Sequence, residues 1–217
     1  MRNKFHEELE NLNHALIQMG AMCEEAIENS SQALMTGNPA LAEKAILIDE
    51  KIDHKEKEIE NLCLRLLLQQ QPVAGDLRLI SAALKMITDM ERIGDQAADI
   101  SEIIIIGKIR AENGTLYIGD MAKATIKMVT ESIDAFVNRD LQLALAVIDY
   151  DDIVDELFRK VRNELVRRIE KRIINSEYAM DLLMIAKYFE RIGDHATNIA
   201  EWVEFAITGI HRGERDS

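Results

Sequence analysis

The pentamer "ERIGD" is written twice in this chain, at residues 91–95 within "DMERIGDQAADISEII" and at residues 190–194 within "YFERIGDHATNIAEWV". Its recurrence extends far beyond five letters. With no gap, "AIENSSQALMTGNPALAEKAI" (26–46) lies over "MVTESIDAFVNRDLQLALAVI" (128–148) at an offset of 102, apolar residue on apolar residue. At the same offset Asp49, Ile52, Asp53 and Ile59 fall on Asp151, Val154, Asp155 and Val161. A three-residue shortening then brings the offset to 99, where the pentamers superpose and Glu102 falls on Glu201. A whole structural unit is therefore duplicated.

The unit is helical. Phe5, Leu9, Leu12, Leu16, Met19, Cys23, Ala26 and Ile27 recur at three- and four-residue spacing, the period of one helix face. That first helix is predicted over about 3–35 and ends at "TGNPA", where Gly37 stops it, Asn38 caps its successor and Pro39 opens it. The second runs to about residue 70, halted by "QQQPVAG", and the third spans about 76–108, before "ENGT". Three more follow at about 116–137, 141–172 and 177–210, separated by the cap-like breaks "NRD" and "NSE". Long helices joined by tight turns fold back antiparallel, because that buries their apolar stripes. The expected fold is all-α: two tandem, sequence-related three-helix bundles of six long antiparallel helices. The expected division is 1–112 and 113–210, with a C-terminal tail at 211–217.

Composition agrees and narrows the function. Two prolines and 5% aromatics in 217 residues leave little room for sheet. A net charge of −13 argues against nucleic-acid or anionic-membrane binding, which needs clustered Lys and Arg. Cys23 and Cys63 stand alone among apolar neighbours and read as small core side chains in a reducing compartment. "MRNKFHEELENL" has no apolar signal-peptide core, and the run "IIII" (103–106) is far too short to span a membrane. The expected location is the cytoplasm, with recruitment to the inner face of the membrane by partners and no direct insertion.

On a helix advancing about 100° per residue, Asp95, Asp99 and Glu102 fall within about 80° of Glu91, so four acids share one face. Ile93, Ile100 and Ile104 lie on the opposite side. Gly94 and Ala98 border the acidic stripe and permit close approach of a neighbour. The second copy repeats the arrangement with Glu190, Asp194, Asn198 and Glu201, and each preceding helix carries a pair one turn apart, Asp49/Asp53 and Asp151/Asp155. Such a stripe is either a solvated acidic face, balanced by Arg92, Arg191 and nearby lysines, or a cation site. Like charges at i,i+4 repel by a few tenths of a kcal/mol, roughly 0.2–0.5 per pair. A bound cation turns that repulsion into coordination.

At these residues the chain resembles the PhoU family of phosphate-transport regulators: "QQQPVAGDLRLI" precedes "DMERIGDQAADI", and the second "YFERIGDHATNIAEWV" follows in order. The resemblance covers nearly the whole chain. It implies a six-helix bundle in two similar halves that binds clusters of iron, zinc or other metal ions through E/D-x-x-x-D motifs. It further implies an accessory protein linking a phosphate ABC transporter, through its ATPase component, to a sensor histidine kinase, and suppressing both transport and signalling when phosphate is plentiful. Carried over by motif, the metal ligands are Glu91, Asp95 and Asp99 in the first unit and Glu190, Asp194 and Asn198 in the second. Asp49, Asp53, Asp151 and Asp155 join them as co-ligands. Asn198 stands where the first unit has Asp99, so the second site is expected to hold metal more weakly. His195 is expected at the surface, facing a partner. A homodimer is compatible with the sequence.

Two other classes bear comparison. A carboxylate-bridged metalloenzyme of the ferritin-like kind relies on Glu-x-x-His pairs, and none of His6, His14, His54, His195 or His211 has Glu three residues before it. A histidine phosphotransfer bundle would use His54, exposed among charges, but His54 aligns with Glu156 in the repeat. Phosphotransfer would need His54 and survive metal removal. The chain has no P-loop, no G-x-G-x-x-G and no nucleophile elbow, so no catalytic activity is expected.

Overall fold

The computed structural model describes residues 2–70, 74–110 and 117–210, and within them six α-helices and no strand. These are α1 (Arg2–Thr36), α2 (Pro39–Gln70), α3 (Ala74–Gly107), α4 (Ile118–Asn138), α5 (Leu141–Glu170) and α6 (Ser176–Thr208). The break expected at "QQQPVAG" falls partly, and "ENGT" and the tail at 211–217 wholly, outside the described residues.

Local chemistry sets the described turns. Gly37 adopts φ +70°, a left-handed conformation that costs glycine little, and its N–H donates to Ala33 O at 2.8 Å. Asn38 Oδ1 then accepts from Ala40 N at 3.1 Å as α2 begins at Pro39. At the equivalent turn Asp140 accepts from Leu143 N at 3.0 Å, and Asn175 caps α6 through Tyr178 N at 2.7 Å. α5 ends two residues earlier than its apolar pattern predicts, because Arg172 turns left-handed at φ +53° and Ile173 N donates back to Arg168 O.

Helices α1, α2 and α3 pack together, as do α4, α5 and α6, and the halves join through α3 against α6 and α1 against α4. α2 and α5 are thus outer helices, each packed on its own half. Buried residues from all six helices form one continuous core, including Leu16, Ile52, Ile93, Met128, Val154 and Phe189. Burying each large apolar side chain contributes about 1.5–3 kcal/mol, and because the cluster is shared, part of that stabilisation also holds the halves to each other. Cys23 and Cys63 are both free thiols inside this core. Burial pushes the Cys63 thiol up to about 12, which leaves it unreactive.

Candidate functional site

Along α3, Ile93, Ala97, Ile100 and Ile104 face the core, which turns Glu91 and Asp95 toward α2. Gly94 brings the helices close there: a Cβ on Gly94 would meet Asp49 Oδ1 at 2.5 Å and Ile52 Cδ1 at 3.0 Å. In the second half a Cβ on Gly193 would meet Val154 Cγ1 at 3.3 Å and Asp151 Oδ1 at 3.4 Å. The same device thus seats an acid of the outer helix against the signature helix in each unit. The result is two carboxylate grooves, α2/α3 and α5/α6.

The electrostatics show which acids share a groove. Asp49 is pushed up to about 7, by burial first and then by the charges of Asp95, Asp53, Glu91 and Asp99. Asp151 rises to about 6, through burial and the charges of Asp194, Asp155 and Glu190. Glu91 and Asp194 are raised for the same two reasons, Asp95 being the nearest like charge for the one and Glu190 for the other. Asp49 Oδ1 and Asp53 Oδ1 are buried without a hydrogen-bond partner. Arg92 answers part of the charge, bonding Asp95 Oδ2 at 2.8 Å and approaching Glu91 Oε2 at 3.3 Å. In the second groove Lys187 pairs with Glu190.

Glu56, absent from the motif-based assignment, belongs to the first groove. Its carboxyl is raised by burial and by Glu60 and Asp53, the neighbouring Thr88 hydroxyl offsets part of that rise, and it raises Glu91 in turn. Its position seven residues after Asp49 and three after Asp53, on the same helix face, was the available signal.

One assigned ligand sits outside its groove and another at its edge. Asn198 Nδ2 donates to Asp89 Oδ1 at 3.1 Å across the α3/α6 seam, so its amide is turned to the other half and not to α5. Asp99 stands at the edge of its groove, where burial raises its carboxyl and the nearby Tyr188 hydroxyl and Arg191 of α6 pull it back down. The two contacts are equivalents of each other, since Asp89 and Asp99 align with Tyr188 and Asn198. His195 corrects a further expectation: it is half-buried in the same seam, with Nδ1 2.9 Å from Asp89 Oδ1, and does not face outward to a partner. Spacing along one helix could not show that the position next to Asp194 turns inward against α3.

Among the described residues, no three of His, Cys, Asp and Glu close on a common point as the side chains stand. The donor chemistry nevertheless fits a cation. The grooves offer mainly carboxylate oxygens, several of them desolvated, and Asp49 Oδ1 and Asp53 Oδ1 have no other partner. No helix among the described residues is long and apolar enough to cross a membrane.

The relatives share this plan. The family model for the PhoU domain matches residues 16–104 and again 118–203, one match in each half. A phosphate-specific transport system accessory protein PhoU homolog of Clostridium acetobutylicum is 38% identical over 215 residues, covering 96% of each chain. The homolog of Pseudomonas aeruginosa is 34% identical over 208 residues, covering 95% of this chain and 86% of that protein. The crystal structure of PhoU from Pseudomonas aeruginosa superposes with a TM-score of 0.87 over 95% of this chain and 100% of that one, at 34% identity. That of the phosphate transport system regulatory protein PhoU from Streptococcus pneumoniae, 24% identical, shares the fold with a TM-score of 0.86 over 95% of this chain and 98% of that one. The duplicated helical unit, its paired acidic grooves and these matches along both halves place the chain in the PhoU family.

Proposed function

We propose that this chain is a non-catalytic negative regulator of phosphate uptake and of phosphate-starvation signalling. In this reading it is a metal-binding adaptor between the ATPase component of a phosphate ABC transporter and a sensor histidine kinase. Family membership supports the link to phosphate transport, because the curated relatives are named as accessory proteins of phosphate-specific transport systems. The observation that carries the adaptor reading is the pair of carboxylate grooves on the outer helices, with Asp49 Oδ1 and Asp53 Oδ1 buried and unbonded.

Asp49, Asp53, Glu56, Glu91 and Asp95 would hold a cation in the first groove, with Asp99 at its edge. Asp151, Asp155, Glu190 and Asp194 would hold one in the second. An all-oxygen donor set suits a hard ion such as ferric iron better than zinc, which prefers imidazole and thiolate. A bound ion supplies positive charge and open coordination positions, which a partner's carboxylate or a phosphate can complete. The chain's own residues align the oxygens and keep the groove partly desolvated.

The test is genetic and physical together. Deleting the gene should leave phosphate uptake and kinase-dependent transcription switched on in phosphate-rich medium, and the intact gene should restore repression. Glu91→Ala/Asp95→Ala should fail to restore it while remaining folded by circular dichroism. Full repression by that variant would remove the metal from the mechanism, and unchanged uptake and transcription in the deletion strain would remove the regulatory reading.

A further inference from the structure

We propose that a cavity at the opposite end of α3 from Gly107, between α3, α4 and α6, binds a small oxyanion of the class of inorganic phosphate. It has a volume of about 200 Å³ and is lined by Arg78, Leu79, Phe136, Arg139, Val203 and Ile207 among others. That is below the roughly 300–1,000 Å³ of pockets that take drug-sized molecules, which restricts it to small ligands. Two arginines line its polar side, Arg78 from the start of α3 and Arg139 from the C-cap of α4. Arg78 Nε is buried and makes no hydrogen bond. A buried donor left unbonded costs about 1–3 kcal/mol, and more when charged, so an anion that draws the Arg78 guanidinium toward the cavity would relieve that cost. A guanidinium offers Nε and Nη as a flat fork matched to two oxygens of one anion. Asp76 also lines the cavity but sits in the first turn of α3, where the positive end of the helix offsets its charge. The lining keeps a positive excess in a chain whose net charge is −13.

The duplication supplies a control within the molecule. At the equivalent place in the other half, Arg139 is replaced by Gly37, Arg78 by Glu177 and Leu79 by Tyr178. There the chain leaving α3 fills the space. Ile109 lies so close over Gly107 that a Cβ on that glycine would meet Ile109 Cδ1 at 2.8 Å. The stem of Arg110 covers Gly37, with Cδ 3.0 Å from a Cβ placed there, and Tyr178 donates its hydroxyl to the Arg110 carbonyl. The position of Arg110 is taken in the second half by Gly209, which supports no such covering side chain. So, among the described residues, one end is covered by its own side chains, whereas the other carries the arginines and the cavity.

The test is titration calorimetry of inorganic phosphate into the full chain, stripped of metal and held at constant ionic strength. The carboxylate grooves then take no part, and failure here leaves the metal reading untouched. One saturable site is expected, weakened about tenfold or more by Arg78→Gln and several-fold by Arg139→Asn, and unchanged by Glu91→Ala/Asp95→Ala. Asparagine tolerates the left-handed backbone of residue 139, so that variant folds even if Arg78→Gln does not. Sulfate should compete and acetate should not. No saturable binding up to about 10 mM phosphate, a range that admits even weak sites, would overturn the proposal. So would an affinity unaltered in Arg139→Asn and in any folded Arg78 variant, or acetate binding more tightly than phosphate.

Discussion

In the groove between α2 and α3, Glu56 lies where the groove between α5 and α6 has Phe158, and Thr88 lies where it has Lys187. In the first groove Thr88 lies beside Glu56, which adds an acid to the cluster. In the second, Lys187 pairs with Glu190 and rests 5.5 Å above the Phe158 ring. The backbone plan is common to both, down to Gly94 and Gly193, but the charge is not. Arg92 answers part of the charge in the first groove, which still carries one acid more, whereas the second has one acid fewer and gains Lys187. Asp49 at about 7 and Asp151 at about 6 follow the same order.

The shared core gives the largest way to probe this comparison. Met90 and Phe189 are equivalent, fully buried positions on α3 and α6. Phe189→Ala should cost about 3–5 kcal/mol and Met90→Ala about 2–5, the phenylalanine change being the larger. Because the halves share one core, each variant should melt in a single denaturant transition. Two separated transitions would show that the halves fold independently.

Exchanging the charge difference comes next. Phe158→Glu with Lys187→Thr gives the second groove the composition of the first. It should tighten divalent-cation binding there by about tenfold, corresponding to about 1.4 kcal/mol, read by competition with a metal-sensitive dye. An unchanged affinity would mean that these two positions do not set the difference.

Metal-free protein should also respond to pH. Unfolded, Asp49 ionises near its ordinary value of 3.8; folded, it keeps its proton to about 7. The folded state therefore holds more protons between those values, and stability falls as pH rises through that window and stays lower above it. After allowance for solvent screening the loss is on the order of 1–2 kcal/mol. Asp49→Asn should flatten the melting profile, and Asp151→Asn should do so less and over a window ending near 6. A profile rising from pH 4 to 7 would contradict the assignment.

The smallest effects concern the two glycines. Gly193→Ala should lie within about 0.5 kcal/mol of the parent, since helix propensity favours alanine and the neighbours at 3.3–3.4 Å yield slightly. Gly94→Ala must displace Asp49 Oδ1 and should be less stable than Gly193→Ala by about 1 kcal/mol. Equal melting temperatures would show that the close approach at Gly94 is not under constraint.

Much of this was legible in the sequence. The duplication, the caps at Asn38 and Asp140, and the acids at Asp49, Asp53, Glu91 and Asp95 follow from spacing alone, because helical periodicity fixes which residues share a face. Which face meets which helix does not follow. Asn198 and His195 could be placed only once α3 and α6 were seen to run antiparallel, bringing Asp89 to both. Glu56 was passed over because it lies outside the repeated motif, its counterpart being Phe158. The end of α5 was set by the backbone at Arg172, which an apolar pattern does not register.

The central claim is that the grooves hold metal, and hold it unequally. Elemental analysis of protein purified without chelator tests it, comparing the parent with Glu91→Ala/Asp95→Ala and Glu190→Ala/Asp194→Ala. Both variants should lose metal, with the first losing the more tightly held fraction, the part that survives dialysis against a weak chelator. The same metal content in all three proteins would contradict the account.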